Sequence, residues 1–302
     1  MEIGYEKDLL VLPFDHKTSL LKKLYGIEGR APTNEESEAY SSLKHMVYEG
    51  FLESLKMGVP KETAAVLVDD QFGSHILKEA KANGIMTCTP IEKSGQDEFN
   101  FEEEDFRAQI RRIDPTIVKV LVRYNPEADK ALNNRQLVRL KEACEFAHEI
   151  GKKFMFELLV PATASQLAKV NGDKAKYDLE LRPKLMVSAM QQIQNAGVEP
   201  DIWKVEGVER VEDSKALVAQ ARIAGRKAGI ITLGRGEDAE KVKEWLKVGA
   251  KVKGIIGFAV GRTVFWEPMK QLHENKVSRK EAAMQVAKNY SSLVELWNRE
   301  RA

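Results

Sequence analysis

Eight short apolar runs, separated by longer polar stretches, constrain the fold of this chain most strongly. The runs are near-continuous rather than alternating and are rich in Val and Ile, which is typical of strands buried on both faces of a parallel sheet. They span residues 9–15, 64–70, 85–90, 116–124, 153–161, 201–207, 229–234 and 253–261. We therefore predict an α/β fold in which eight βα units close into a single (β/α)8 TIM barrel over residues 1–302.

The stretches between the runs carry apolar residues at helical spacing, and several end in glycine, as at Gly151. A doubly wound open sheet also alternates strands and helices, but it usually has fewer strands and a GxGxxG motif after the first. Here FDHKTSL follows the first run. We interpret residues 20–45 as a long polar βα loop on the active-site face, and the last segment as a closing helix capped by Ser278.

The composition and net charge of the chain indicate which partners to expect. The chain has 302 residues, of which 43% are hydrophobic and 31% charged, with a net charge of +1. We expect neither nucleic acid nor a membrane as a partner.

Cys88 and Cys144 form no CxxC pair, and the first residues do not resemble a signal peptide, so we expect reduced thiols in the cytoplasm. The five histidines lack metal-binding spacing, and we expect no metal and no cofactor. A homo-oligomer is compatible with the sequence.

Charged and polar residues lie within the apolar runs or directly after them. In a barrel the chemistry sits at the C-terminal ends of the strands, and an unpaired buried charge is costly, so these side chains should converge on one another or on a ligand. The candidates are Asp15, Asp69, Lys119, Arg123, Asn125, Glu157, Lys204, Arg235 and Arg262.

Two lysines, Lys119 and Lys204, stand in the middle of strand-like runs, and Glu157 stands in a third. Each lysine alone could form an ordinary buried ion pair. Two ammonium groups facing one pocket, however, disfavour each other's charged form, which lowers the pKa of one amine and makes it a nucleophile. A nearby carboxylate can then move protons. This combination indicates Schiff-base chemistry.

Glycine and arginine occur together after the seventh and eighth runs, as Gly234 with Arg235 and Gly261 with Arg262. Glycine lets backbone N–H groups approach an anion, arginine matches phosphate oxygens, and barrels commonly bind phosphate at this position. The alternative is two glycine turns with surface arginines. Further candidates for binding substrate are Asp69, Arg123 and Asn125, the last two suited to sugar hydroxyls or a carboxylate unless they only form a turn.

The chain resembles the class I aldolase-like domain at the C-terminal end of bifunctional 5-dehydro-2-deoxygluconokinase proteins of inositol catabolism. The resemblance rests on segments that occur in order along the chain: FDHK, VDDQFG, VKVLVRYNPEAD, KFMFELLVPAT, PDIWKVEG, LGRG and GFAVGRTVFWEP. The chain is more distantly similar to class I tagatose-1,6-bisphosphate aldolases. Lys17 stands where arginine is commoner in the first motif.

This resemblance implies a role for each matching residue. It makes Lys204 the Schiff-base lysine, Glu157 the acid/base, Lys119 a second active-site lysine and Asp15 the aspartate of the first strand. It places phosphate near Gly234, Gly261 and Arg262.

The implied activity is cleavage of a phosphorylated keto sugar or keto sugar acid by a class I aldolase. The expected substrate is 5-dehydro-2-deoxy-6-phosphogluconate, which gives dihydroxyacetone phosphate and malonate semialdehyde. Two alternatives stay open: a ketohexose (bis)phosphate aldolase of the tagatose-bisphosphate type, and a non-catalytic barrel that binds a sugar phosphate.

Overall fold

Eight parallel strands close into a barrel in the computed structural model, which describes residues 2–301. Strands β1 to β8 are Leu9–Pro13, Ala64–Leu67, Met86–Pro90, Ile117–Arg123, Lys153–Leu159, Ile202–Glu206, Gly229–Leu233 and Ile255–Ala259. Each strand pairs in parallel with the next, and β8 pairs with β1, so the sheet closes on itself. The predicted (β/α)8 barrel is confirmed.

Helices surround the barrel. Helices α1 to α12 are Thr18–Tyr25, Asn34–Lys56, Asp70–Ala82, Phe106–Ile113, Lys130–Glu149, Ala164–Lys169, Lys174–Lys176, Arg182–Asn195, Val211–Ala221, Ala239–Ala250, Arg262–His273 and Arg279–Arg301. A π-helical segment, Tyr177–Leu181, joins α7 to α8, and a 3-10 turn, Ile223–Gly225, follows α9. No helix within residues 2–301 is long and apolar enough to cross a membrane.

The segment 20–45 is mostly helical rather than the long loop expected. It contains most of α1 and the first half of α2. Helix α2 begins with a capping box, in which Thr33 accepts from the backbone N–H of Glu36 and Glu36 accepts from that of Thr33. This reciprocal cap fixes the start of a helix whose first turns are polar.

Helix α12 closes the ring as predicted, packing against α2, α10 and α11. Ser278 precedes it, and its hydroxyl accepts from the backbone N–H of Glu281 at 3.3 Å. Tyr290 donates its hydroxyl proton to the carbonyl of Leu10 at 2.7 Å, and Trp297 is buried. The last helix is therefore tied to the first strand.

Side-chain alternation along the strands explains how charges come to lie within apolar runs. On β6, Trp203 and Val205 join the core between barrel and helices, whereas Ile202 joins a separate core inside the barrel. Because side chains alternate with a period of two, Lys204 faces inward two residues above Ile202. The inside is apolar toward the N-terminal ends of the strands and charged toward their C-terminal ends.

Asp201 ties several elements together at the N-terminal end of the barrel. Its carboxylate accepts from the backbone N–H groups of Gly4 at 2.7 Å and Phe154 at 2.8 Å. It also lies 2.8 Å from His148 Nε2 and 2.9 Å from Lys153 Nζ. This end of the molecule is thus held by one fully buried carboxylate.

Candidate active site

A cavity of about 350 Å³ opens at the C-terminal ends of the strands. Most of the predicted site residues line it: Asp15, Lys119, Arg123, Glu157, Lys204, Gly234, Arg235, Gly261 and Arg262. Asp69 and Asn125 are not part of its wall. The parallel strands therefore bring residues from β1, β4 and β5 together with residues from β6, β7 and β8.

The floor of the cavity is an alternating row of charges on three neighbouring strands. Lys204 on β6 lies 2.9 Å from Glu157 Oε1, and the two residues are register partners. Glu157 on β5 lies 2.9 Å from Lys119 on β4 through its other oxygen, Oε2. One carboxylate thus bridges both lysines.

Lys119 is surrounded by carboxylates. Besides Glu157, its Nζ lies 3.1 Å from Asp15 and 2.6 Å from Glu92. Burial lowers the pKa of Lys119, but Asp15, Glu157 and Glu92 outweigh burial and raise that pKa well above its ordinary value. Lys119 therefore stays an ammonium ion, and the expected lowering of an amine pKa by two like charges does not occur at this lysine. Within residues 2–301, Lys204 contacts only the carboxylate of Glu157.

Asp15 and Glu157 are both held in the charged form. Burial raises the pKa of each, but Lys119 and Lys204 outweigh it and bring both pKa values below their ordinary range. Both groups are therefore carboxylates at neutral pH, able to accept a proton.

Arg262, the first residue of α11, provides positive charge on the far side of the cavity. Its Nη2 donates to the carbonyl of Arg235 at 2.6 Å, and no carboxylate within residues 2–301 forms an ion pair with it. Burial lowers the pKa of Arg262, against the opposing charges of Glu237 and Glu157. An uncompensated guanidinium at a helix N-terminus suits an anion.

Two glycines shape this region, Gly236 through its positive φ and Gly261 through lack of space. A Cβ on Gly236, whose φ is +84°, would lie 2.0 Å from Arg262 Nη2. A Cβ on Gly261 would lie 2.1 Å from the carbonyl oxygen of Pro13. Gly236 was not among the predicted site residues, although it is the second glycine of LGRG.

The guanidinium of Arg235, predicted as a phosphate ligand, lines the cavity and is paired with three carboxylates. It lies 3.0 Å from Asp178, 3.2 Å from Glu206 and 2.9 Å from Glu237. Arg235 therefore fixes the β7–α10 loop, and its carbonyl positions Arg262.

Asp69 and Asn125 also have structural partners, which corrects their prediction as substrate ligands. Asp69 is the N-cap of α3, accepts from Phe72 N at 2.9 Å and pairs with the buried Lys44. Asn125 donates to the carbonyl of Pro161 at 2.8 Å. Arg123 does line the cavity, and it donates to the carbonyl of Gln96 at 2.5 Å.

Sequence reasoning gave too little weight to two further cavity residues, Glu92 and His16. Burial raises the pKa of Glu92 despite the neighbouring Lys119. Burial lowers the pKa of His16 to about 4, against the charge of Asp15, so its imidazole is neutral. The available signal was position, since each residue follows an apolar run directly.

A model of the family described as "Uncharacterized protein conserved in bacteria (DUF2090)" matches residues 4–301. The chain belongs to this family. A search of the curated proteins gave no match.

Solved structures share the fold of this DUF2090 chain. A fructose-bisphosphate aldolase from Plasmodium falciparum has a TM-score of 0.67 at 10% identity, covering 95% of this chain and 89% of that one. An archaeal fructose 1,6-bisphosphate aldolase has a TM-score of 0.59 at 11% identity, covering 97% and 95%. A Schiff-base-forming fructose-1,6-bisphosphate aldolase has a TM-score of 0.56 at 12% identity, covering 96% and 94%. What this chain shares with these proteins is the (β/α)8 barrel fold.

Proposed function

We propose that this protein is a class I aldolase in which Lys204 forms an imine with the keto carbon of the substrate. The observation that carries the proposal is the row Lys204, Glu157 and Lys119, with 2.9 Å contacts on both sides of Glu157. It supplies a nucleophile, a base and a fixed positive charge within one cavity.

The first half of the reaction builds an electron sink. Glu157 takes a proton from the ammonium group of Lys204, and the resulting neutral amine adds to the keto carbon. The carbinolamine takes up a proton and loses water, which leaves a protonated imine. Lys119, an ammonium ion beside Glu157, stabilises negative charge that develops on oxygen.

The second half breaks the carbon–carbon bond. Glu157 accepts the proton of the hydroxyl group beyond the scissile bond. The electron pair of that bond moves into the imine, which becomes an enamine, and the aldehyde half leaves. The enamine carbon then takes up a proton, and water hydrolyses the imine to release the ketone half and free Lys204.

The proposed substrate is a phosphorylated keto sugar or keto sugar acid, with its phosphate at Arg262 and the N-terminus of α11. The resemblance to the aldolase-like domain of inositol catabolism favours 5-dehydro-2-deoxy-6-phosphogluconate. A ketohexose bisphosphate is the second candidate, because the name of the Schiff-base-forming structural neighbour gives fructose 1,6-bisphosphate as that protein's substrate. A non-catalytic barrel has no need of a nucleophile held against a carboxylate.

Borohydride trapping tests the proposal. We expect reduction in the presence of dihydroxyacetone phosphate to add its mass to the peptide that contains Trp203 and Lys204. Lys204→Arg should abolish the adduct, whereas Lys119→Arg, which keeps the charge, should still give it. A label on Lys119 would reverse the roles of the two lysines. Absence of any adduct, together with activity that EDTA abolishes, would exclude a class I mechanism.

A further inference from the structure

Glu92 is a buried carboxyl group of the cavity that the proposed mechanism does not use. It follows β3, lines the cavity and is 8% exposed. Its Oε1 lies 2.6 Å from Lys119 Nζ. Its other oxygen, Oε2, is buried and has no hydrogen-bond partner within residues 2–301. A buried polar atom without a partner is costly, which points to a ligand group as the partner of this oxygen.

The place of Glu92 in the row of charges indicates which part of a substrate it meets. Lys204, Glu157, Lys119 and Glu92 belong to β6, β5, β4 and the end of β3, and each contacts the next at 2.9, 2.9 and 2.6 Å. The imine carbon is bonded to Lys204, and the hydroxyl beyond the scissile bond lies at Glu157. The atoms beyond that hydroxyl therefore point toward Lys119 and Glu92.

The anion end of the cavity lies on the opposite side. In a closed barrel of eight strands, β3 is opposite β7 and β4 is opposite β8. Arg262 follows β8 and Gly236 follows β7, so a substrate anchored by its phosphate at Arg262 extends across the barrel toward β3 and β4. The ketone half lies on the side of Arg262, and the aldehyde half lies on the side of Glu92.

We propose that Glu92 is a specificity-determining residue of this site, whose Oε2 hydrogen-bonds an oxygen of the aldehyde half of the substrate. Its Oε1 meanwhile holds Lys119 in place. The inference rests on the proposed aldolase function and identifies the side of the cavity that selects the aldehyde. Burial raises the pKa of Glu92, and a carboxyl group suits either kind of partner, since it accepts hydrogen bonds when charged and also donates one when protonated.

Two reactions distinguish residues that contact the ketone half of the substrate from residues that contact its aldehyde half. Exchange of a proton of dihydroxyacetone phosphate with D₂O requires the imine and the enamine but no aldehyde. Condensation of dihydroxyacetone phosphate with malonate semialdehyde or glyceraldehyde 3-phosphate requires both halves. A residue that contacts only the aldehyde half should affect condensation and leave exchange unchanged.

We expect Glu92→Ala to lower kcat/KM for the aldehyde about tenfold, the size of one lost hydrogen bond, through a higher aldehyde KM. Exchange and borohydride trapping should fall much less than condensation, because Lys119 keeps its ion pairs with Asp15 and Glu157. Glu92→Gln, whose amide can donate or accept, should restore most of the aldehyde affinity. Glu98→Ala is the matched control, because Glu98 lies in the same loop but pairs with Arg135 and Arg139 outside the cavity.

Equal losses of exchange and condensation in Glu92→Ala would overturn the inference, because Glu92 would then act only by supporting Lys119. Unchanged aldehyde kinetics with normal trapping would also overturn it and leave the aldolase function intact. A wild-type protein that gives no adduct at Lys204 would instead remove both proposals.

Discussion

Glu157 is the residue on which both lysines of the site depend. It lies 2.9 Å from each, and they lower its pKa against the effect of burial. Lys119 keeps two other carboxylates, Asp15 and Glu92, if Glu157 loses its charge. A neutral side chain of the same size at this position should therefore impair proton transfer more than folding.

We expect Glu157→Gln to lower kcat for cleavage by about 10²–10⁴-fold, the usual contribution of a general acid–base group. Imine formation should persist at a lower rate, and it can be followed by borohydride trapping. The melting temperature should also fall, because Lys204 loses its carboxylate partner, with Glu98→Gln as a control for the loss of one surface carboxylate. Normal turnover combined with a much lower melting temperature would contradict the catalytic role of Glu157. Asp15 would then be the next candidate for the acid/base.

At the scale of elements, the β7–α10 loop and the start of α11 form the unit that we propose binds the phosphate. Arg262 provides the free guanidinium, the carbonyl of Arg235 holds it, and Gly236 leaves room for it. The sequence showed glycine and arginine at both strand ends, but it could not show which arginine is free. Which arginine is free depends on Asp178, because this residue of the π-helical segment, far from Arg235 in the sequence, forms an ion pair with Arg235.

We expect Arg262→Ala to raise KM for the phosphorylated substrate about 10- to 100-fold, since a hydrogen bond to a charged group contributes about 1.5–3 kcal/mol. KM for the unphosphorylated sugar should change little. Gly236→Ala should act in the same direction, because its Cβ would displace Arg262. Arg279→Ala is the control, since Arg279 pairs with Glu49 away from the cavity. Equal losses for both substrates would mean that Arg262 is structural.

At the scale of the whole molecule, the barrel could be predicted because each strand is a distinct apolar run, and parallel strands gather their C-terminal ends. The sequence could not show which of the polar residues at those ends face the cavity. Asp69 and Glu92 each follow a strand, yet Asp69 caps α3 while Glu92 faces the cavity. The difference lies in where the chain turns away from the barrel. Likewise, the sequence did not reveal the start of α2, because its first turns are polar and only the Thr33 cap marks it.

We expect residues at the N-terminal end of the barrel to contribute to stability and residues at the C-terminal end to contribute to catalysis. Asp201 holds the N-terminal end, far along the strands from the cavity. Burial raises its pKa, but His148, the N–H groups of Phe154 and Gly4, and Lys153 outweigh burial, so its pKa is lowered from 3.8. A carboxyl group whose pKa is lower in the folded state stabilises the protein fully above its unfolded-state pKa. That stability is lost as the pH falls through the folded-state value.

We expect Asp201→Asn to lower the free energy of unfolding at pH 7 by about 1.5–3 kcal/mol, because the partly exposed His148 and Lys153 lose hydrogen bonds to a charged group. At about 2–4 °C per kcal/mol, the melting temperature should fall by roughly 5–10 °C. The difference from the wild type should begin to shrink below about pH 4, where the carboxyl group of the unfolded chain becomes protonated. Calorimetry between pH 3 and 7 measures both effects.

The values of kcat and KM at 25 °C and pH 7 should stay unchanged, because Asp201 does not line the cavity. A fall in kcat at a temperature where the variant is fully folded would show that the two ends are coupled, against the separation argued for this barrel.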